Sequence, residues 1–479
     1  MSGLPSTLTL KHTAMIAEET ISQLAVDLRG KLVEPHDAEY DAARRVHNGM
    51  IDKHPAAIAY CADVADVIAC VNYAREHHLL VAVRGGGHSG AGMGLCDDGL
   101  VIDLSQLNGV SVDPVAKTVR VEGGCTLGKL DHVTHAIGAV VPSGIVSTTG
   151  VGGITLGGGL GHFTRKCGLS IDNLLEANVV LADGRLVKAS AQENPDLFWA
   201  LRGGGGNFGI VSSFLFRTHP ISTAYAGPML WELSDTKTMM RWYRDFIKTA
   251  PDEMSGFFAF LTVPPGPPFP EPLHGKKMCG IVWCYTGPLD GAEAAFAPIR
   301  KAYPPALDLV GPLPVPALQG MFDGLVPPGL QYYWKADFVN ELSDAAIDIH
   351  LHFAELLPTP LSTMHMYPIN GAAARVAPDA TAWAYRHATW SMVVLGADPD
   401  ADNAEKLTHW AKEYWQALHP YGAGGGYVNF MMDEGTDGVK ATYGDNYPRL
   451  VAIKTKYDPH NLFHVNQNIV PMSNGEPAH

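Results

Sequence analysis

A chain of 479 residues is long enough for two or three domains, and 46% hydrophobic against 17% charged content supplies a large buried core. A net charge of −15 argues against nucleic acid as the main partner, because phosphate recognition needs a basic surface. No stretch approaches the roughly 18 uninterrupted apolar residues of a membrane helix. The first residues lack the basic start and apolar core of a secretory signal, and seven irregularly spaced cysteines without a Cys-x-x-Cys pair suit neither a disulfide framework nor a zinc site. A cytoplasmic protein with idle thiols, no membrane and no metal is expected.

In chain order, residues 14–30 read as an amphipathic helix, with Ile16, Ile21, Leu24, Ala25 and Leu28 near helical spacing. A strand is expected at 57–61, then a helix capped by Asp63 whose apolar face carries Val64, Val67, Ile68, Val71 and Ala74. Strands follow at 79–83 and 100–104. Residues 110–113 and 118–122 alternate like a hairpin, and 126–137 read as a helix with Leu127, Leu130 and Val133 on one face. Residues 179–187 form a strand pair about an Asp-Gly turn, and 210–216 a further strand. Past His219-Pro220 the composition shifts. Strand-like runs at 279–285, 332–339, 389–395 and 426–431 alternate with helix-like runs at 235–249, 289–301, 343–357 and 402–418, which indicates a second α+β domain. The proline-dense stretch 263–272 is expected to be a surface loop.

Three glycine clusters punctuate the first half. Arg84-Gly85-Gly86-Gly87-His88-Ser89-Gly90 follows an apolar run, Gly150 to Gly161 holds seven glycines with its two ends included, and Arg202 to Gly209 holds the third cluster. Stripped of side chains, such turns let backbone N–H groups approach an anion, so a large phosphate-bearing cofactor is indicated. The first and third clusters match G-x-G-x-x-G, but a dinucleotide fold needs a helix directly after that loop, and here strands follow. No G-x-x-x-x-G-K-[ST] occurs, which disfavours a nucleoside triphosphatase. The imidazole of His88, at the edge of the first turn, could attack an electrophilic cofactor or merely hydrogen-bond a phosphate.

These clusters, with Gly92, Pro142-Ser-Gly144, Ser147-Thr-Thr-Gly-Val-Gly-Gly153, Arg165 to Asn173, Asn194 to Gly209, Tyr427-Val-Asn-Phe430, Tyr443 to Asn446, Lys454 to Phe463 and Asn466-Gln-Asn468, resemble the FAD-linked vanillyl-alcohol oxidase/PCMH superfamily. The closest branch is the berberine-bridge-enzyme-like one, of the bacterial single-link type, and the resemblance covers nearly the whole chain. It implies an α+β, two-domain fold: residues 1–222 binding FAD, 223–445 forming a substrate domain on an antiparallel sheet, and 446–479 returning to the first domain. It implies cofactor contacts from Arg84, Gly85, Gly86, Gly87, His88, Ser89, Gly90 and Gly92. Ser147, Thr148, Thr149, Gly152, Gly153, Gly157, Gly158, Gly159 and Gly161 form a second set, and Gly209, Val211, Tyr427, Asn429 and Asn466 a third. His88 falls where the family links flavin through its 8α-methyl group. Val146 stands where many plant members carry a second, cysteinyl link, so attachment through His88 alone is expected. Thr149 departs from the family's oxygen-gating valine or leucine, which leaves oxygen reactivity open.

The implied activity is hydride transfer from a C–H beside an alcohol, amine or phenol to FAD, with O2 reduced to H2O2. A dehydrogenase or reductase using another acceptor, a sugar oxidase and a non-catalytic flavin-binding protein are the alternatives. A proton acceptor is needed near the flavin. Tyr427 and Asn429, two residues apart, would share one face of a strand. Lys335, His365 and Trp390 are further candidates, each with a plain reading: a solvated lysine, a structural histidine, a core tryptophan. Aromatic residues in the second domain favour a small aromatic or ring-containing substrate.

Overall fold

The computed structural model describes residue 21 and residues 23–472. Of the amphipathic helix expected at 14–30, residues 21 and 23–27 are helical, and the part before residue 21 lies outside the described residues. Three sheets organise the rest. In the first, Ala57–Tyr60, Leu100–Asp103 and Val81–Arg84 run parallel as neighbours, with Lys31–Val33 antiparallel at one edge. Parallel strands need a crossover, and Val64–Glu76 provides it. Its start is set by Asp63, whose carboxylate accepts from the Ala65 and Asp66 amides at 2.9 and 3.2 Å.

The second sheet is antiparallel, in the order Val110–Asp113, Thr118–Glu122, Ile210–Arg217, Leu174–Val180, Leu186–Ser190. Its apolar face carries Val119, Val121, Ala177, Val179, Phe214 and Phe216. Two helices from the far end of the chain, Gly435–Tyr443 and Tyr447–Tyr457, join this same core through Val439, Tyr443, Leu450 and Ile453. The return is fastened by buried Lys454. Its ammonium donates to the Asn207 and Phe463 carbonyls at 2.8 Å each and pairs with Asp458 at 2.7 Å, so the tail is tied to the third glycine loop.

The third sheet has eight antiparallel strands, ordered Leu307–Asp308, Thr223–Glu232, Lys277–Tyr285, Met254–Thr262, Thr363–Pro368, Trp390–Asp398, Gln331–Val339, with Gly311–Pro314 also paired to Thr223–Glu232. Alternation along each strand assigns its two faces. Phe258, Phe260, Met364, Met366, Trp390, Met392 and Val394 pack against Thr236–Thr249, Asp344–Glu355 and Ala404–Leu418. Their neighbours Phe257, Ala259, Tyr367 and Val393 face the opposite way, toward Leu160, Leu169 and Tyr427.

The expected elements at 57–61, 79–83, 100–104, 110–113, 118–122, 126–137, 179–187, 210–216, 279–285, 332–339 and 389–395 all have counterparts, as do the four second-domain helices. The strand expected at 426–431 is absent: Val428–Phe430 is a single 3-10 turn, preceded by Gly424, Gly425 and Gly426. Strands Thr223–Glu232, Met254–Thr262 and Thr363–Pro368 and helices Val151–Gly157 and Pro195–Leu201 had no sequence counterpart. Among the described residues no helix is long and apolar enough to cross a membrane.

A buried ion pair holds the glycine-rich region to the strand-linking loop before residue 390. Arg386 donates from both terminal nitrogens to the two oxygens of Asp172, at 2.8 and 2.7 Å. Removing one partner strands the other charge in the interior. Asp172→Ala is expected to lower the unfolding free energy by about 3–5 kcal/mol, read from denaturant titration against wild type.

Candidate active site

One cavity of about 1000 Å³ lies between the glycine loops and the free face of the eight-stranded sheet. All of Arg84 to Gly90 line it, with Thr149, Gly152, Gly153, Gly157, Gly209, Val211 and Asn466. The loops meet by close backbone approach: a Cβ on Gly86 would collide with the backbone of Gly150, and one on Gly150 with that of Gly86. By contrast, nothing stands within 4 Å of a Cβ built on Gly153 or Gly206, so bare backbone fronts open space there. The buried Asn466 Oδ1 and Tyr443 Oη, both on lining residues, have no partner among the described residues. A bare-backbone cradle with uncommitted polar atoms fits a large cofactor bearing phosphate and hydroxyl groups.

The remaining expected cofactor positions stand behind the wall. Gly92, Gly158, Gly159 and Gly161 permit packing against Ile51, Trp383, Ser170 and Ser143. Ser147 is held through its amide and hydroxyl by Asp323, the amide at 2.9 Å. Arg84 does not offer its guanidinium to an anion, because Nε pairs with Asp103 and Nη1 donates to the Ala43 carbonyl at 2.7 Å.

His88 sits in a stack of rings. Its centroid is 4.0 Å from that of His47, which in turn lies 4.9 Å from Tyr332. Nε2 bonds the Thr148 hydroxyl at 3.0 Å, which leaves Nδ1 uncommitted among the described residues. Burial pushes the imidazole down to about 3, and His47 down to about 4, so both rings are neutral at ordinary pH. No motif pointed to His47. It arrives because its amide donates to the Gly87 carbonyl at 3.1 Å, and because neighbouring Asn48 donates to the carbonyls of Gly90 and Tyr332 at 2.7 and 3.0 Å.

Tyr427 and Asn429 also line the cavity, held together by the 3-10 turn rather than by a strand. The Tyr427 hydroxyl oxygen accepts from the Gly159 amide at 2.8 Å, the Leu160 amide at 3.3 Å and Asn429 Nδ2 at 2.7 Å. Burial raises the phenol pKa, and these three donors oppose that rise. His365 lies on the sheet wall, with Nδ1 bonded to the Tyr367 hydroxyl at 2.9 Å and its ring 4.8 Å from Phe257. Burial lowers its pKa to about 4.

Lys335 and Trp390 belong to the other face. Trp334 lines the cavity, so the next residue in the strand points to the helices, where Lys335 pairs with Glu434 and its ammonium lies 4.6 Å over Trp415. Trp390 packs among core residues 5.7 Å from Tyr243. The proline stretch at 263–272 is only partly a surface loop, since Pro264, Pro265, Pro267, Pro268 and Phe269 rim the cavity.

Residues 55–190 match the family model of an FAD binding domain, and 426–470 that of berberine and berberine-like proteins. An FAD-linked oxidoreductase of Dictyostelium discoideum is 31% identical, covering 96% of this chain and 98% of the relative. The chain belongs to the berberine-bridge-like FAD-linked oxidoreductases. A second relative, the (R)-6-hydroxynicotine oxidase of Paenarthrobacter nicotinovorans, is 28% identical over 94% of this chain and 99% of its own. The crystal structure of 6-hydroxy-D-nicotine oxidase from Arthrobacter nicotinovorans superposes with a TM-score of 0.83 at 26% identity, covering 93% of this chain and 98% of that one. Berberine bridge enzyme from Eschscholzia californica, 21% identical with a TM-score of 0.83 over 95% and 100% of the two chains, shares the two-domain FAD-binding fold. The protein is thus an FAD-dependent oxidoreductase, and the cavity between glycine loops and sheet is its candidate active site.

Buried neutral histidines make such a protein acid-sensitive. His162 lies among Phe163, Phe257 and Phe322 with no partner for either ring nitrogen among the described residues, and burial lowers its pKa to about 3. Its unfolded value is near 6.5, so the unfolded chain binds more protons below that pH and stability falls as pH drops from about 6.5 toward 3. His162→Phe is expected to flatten this slope, measured as the denaturation midpoint at a series of pH values.

Proposed function

We propose that this protein is an oxidase that removes hydride from a C–H beside an alcohol, amine or phenolic group of a small, ring-containing substrate. The reading is carried by the joint placement, around one cavity, of His88, the Tyr427 hydroxyl and His365. When bound, FAD supplies the hydride acceptor, and its electrons pass to O2. Overall, the substrate loses a hydride from carbon and a proton from oxygen or nitrogen, and O2 gains both as H2O2.

Tyr427, in its phenolate form, serves as the proton acceptor. Three donors converge on its oxygen, the arrangement that favours a phenolate where charge develops in a buried site. Neutral His365, fixed by Tyr367, holds the substrate's hydroxyl or N–H group through its second nitrogen. His88 is the single attachment point of the flavin. With Nε2 on Thr148, Nδ1 is the ring atom that would hold the flavin. Val146, on the cavity wall, has no sulfur for a second link. Residues 1–222 and 446–479 hold the cofactor, and 223–445 the substrate. Seven buried free thiols suit a cytoplasmic setting.

Thr149 on the cavity wall supports a second reading, a dehydrogenase that returns electrons to an acceptor other than oxygen. Acid precipitation of purified protein tests the attachment: the pellet should be yellow for wild type and colourless for His88→Ala. A yellow supernatant from wild type would overturn the covalent link. Dithionite-reduced enzyme mixed with aerated buffer should release H2O2; slow reoxidation without peroxide would favour the dehydrogenase. Tyr427→Phe should keep its flavin and lose roughly 10²–10⁴-fold in the rate of anaerobic flavin reduction by substrate.

A further inference from the structure

The sheet wall of the cavity differs in character from the glycine wall. None of its lining residues between 223 and 425 is ionisable as an acid or a strong base; His365, held neutral by burial, and two tyrosines are the titratable groups there. The broad surface is aliphatic, with Ala259, Leu261, Val282, Val393 and Leu395 on three strands of the same face, on either side of the strand that carries His365 and Tyr367.

Most polar side chains on this wall are engaged with protein. Tyr332 donates to the Pro327 carbonyl at 2.7 Å, and Thr363 to the Phe260 carbonyl at 2.6 Å. Ser362 bonds Thr359 at 2.7 Å and accepts from the Ala397 amide at 3.2 Å. Tyr367 is bonded to His365. What remains on this wall is the second nitrogen of His365, the Trp334 indole N–H and the Thr262 hydroxyl. The rim repeats the pattern, because four of its five residues in 264–269 are prolines, which have no backbone N–H to donate.

Such a wall discriminates by what it cannot satisfy. A carbohydrate entering it would exchange many water hydrogen bonds for very few, and each hydroxyl left unpaired weakens binding. A carboxylate or ammonium would be desolvated with no counter-charge, since the one guanidinium on the lining, that of Arg84, is already paired with Asp103. Apolar surface is rewarded throughout, and one hydroxyl or N–H can be held at His365.

We propose that the substrate is an uncharged, lipophilic ring compound presenting a single hydroxyl or neutral N–H group to His365, and that carbohydrates and ionised compounds are rejected. This rests on the oxidase reading above and names the substrate class of the same site.

Calorimetric titration of the purified holoprotein under argon tests it with cinnamyl alcohol, a ring-carboxylated analogue, a ring-aminomethyl analogue and cellobiose. Cinnamyl alcohol is expected to bind about 100-fold more tightly than either charged analogue, with no detectable cellobiose binding. Leu261→Lys should raise affinity for the carboxylated analogue about tenfold, by giving it a counter-charge. His365→Leu should abolish the preference for cinnamyl alcohol over its deoxy analogue, whereas His365→Gln should keep part of it. Equal or tighter binding of cellobiose or a charged analogue overturns the proposal, and so does a yellow protein that binds none of the neutral compounds. A colourless protein would sink the flavin reading instead, while the calorimetric ranking still decides the character of the wall.

Discussion

Segments far apart in the chain meet at Asn48. Its side-chain amide donates to the carbonyls of Gly90 and Tyr332, and its oxygen accepts from the Tyr332 amide at 3.1 Å. Gly49 and His47 extend the tie, one donating to the Leu330 carbonyl at 2.7 Å and the other accepting from the Gly329 amide at 2.8 Å. The first glycine turn is thereby fixed against the edge strand of the large sheet. The placement of His88 under His47, the reach of Trp334 over Gly90 and the gap between the two walls all follow from that junction. A buried amide satisfied on both ends is directional, so it sets a distance as well as holding one.

The two walls then divide the chemistry. One is backbone, made reachable because Gly86 and Gly150 approach more closely than any side chain allows. The other is hydrocarbon, made uniform because strand alternation sends Lys335, Met364, Met366 and Trp390 to the helices and leaves His365, Tyr367 and Val393 for the cavity. Neutrality is a shared property of the histidines around the cavity. His88, His47 and His365 are uncharged because they are buried, and Tyr427 is buried yet served by three donors.

Much of the fold was legible locally. The Asp63 cap, the hairpin at 110–122 and the Asp-Gly turn near 183 are short-range signals, and each has its expected counterpart. Helix Val151–Gly157 was not legible, since three of its seven residues are glycine and its stability comes from burial. The turn at 428–430 was misread as a strand because Tyr-Val-Asn-Phe alternates well enough. Three preceding glycines and the bonds from Asn429 to Ile154 and Tyr427 hold it otherwise. His47 carried no signal at all, being one histidine in a polar loop.

The sequence by itself determined the cofactor class and the family, because glycine clusters and their flanking residues are local requirements of gripping a large phosphate-bearing group. It also determined that a cysteine cannot serve at position 146. Tertiary structure alone decided which aromatic and basic residues face the cavity, since parity along a strand has meaning only once its partner layer is known. It decided too that Arg84 is committed to Asp103, that His47 covers His88, and that one wall of the cavity carries no carboxylate, ammonium or guanidinium. Those are contacts between segments tens to hundreds of residues apart, and only packing brings them together.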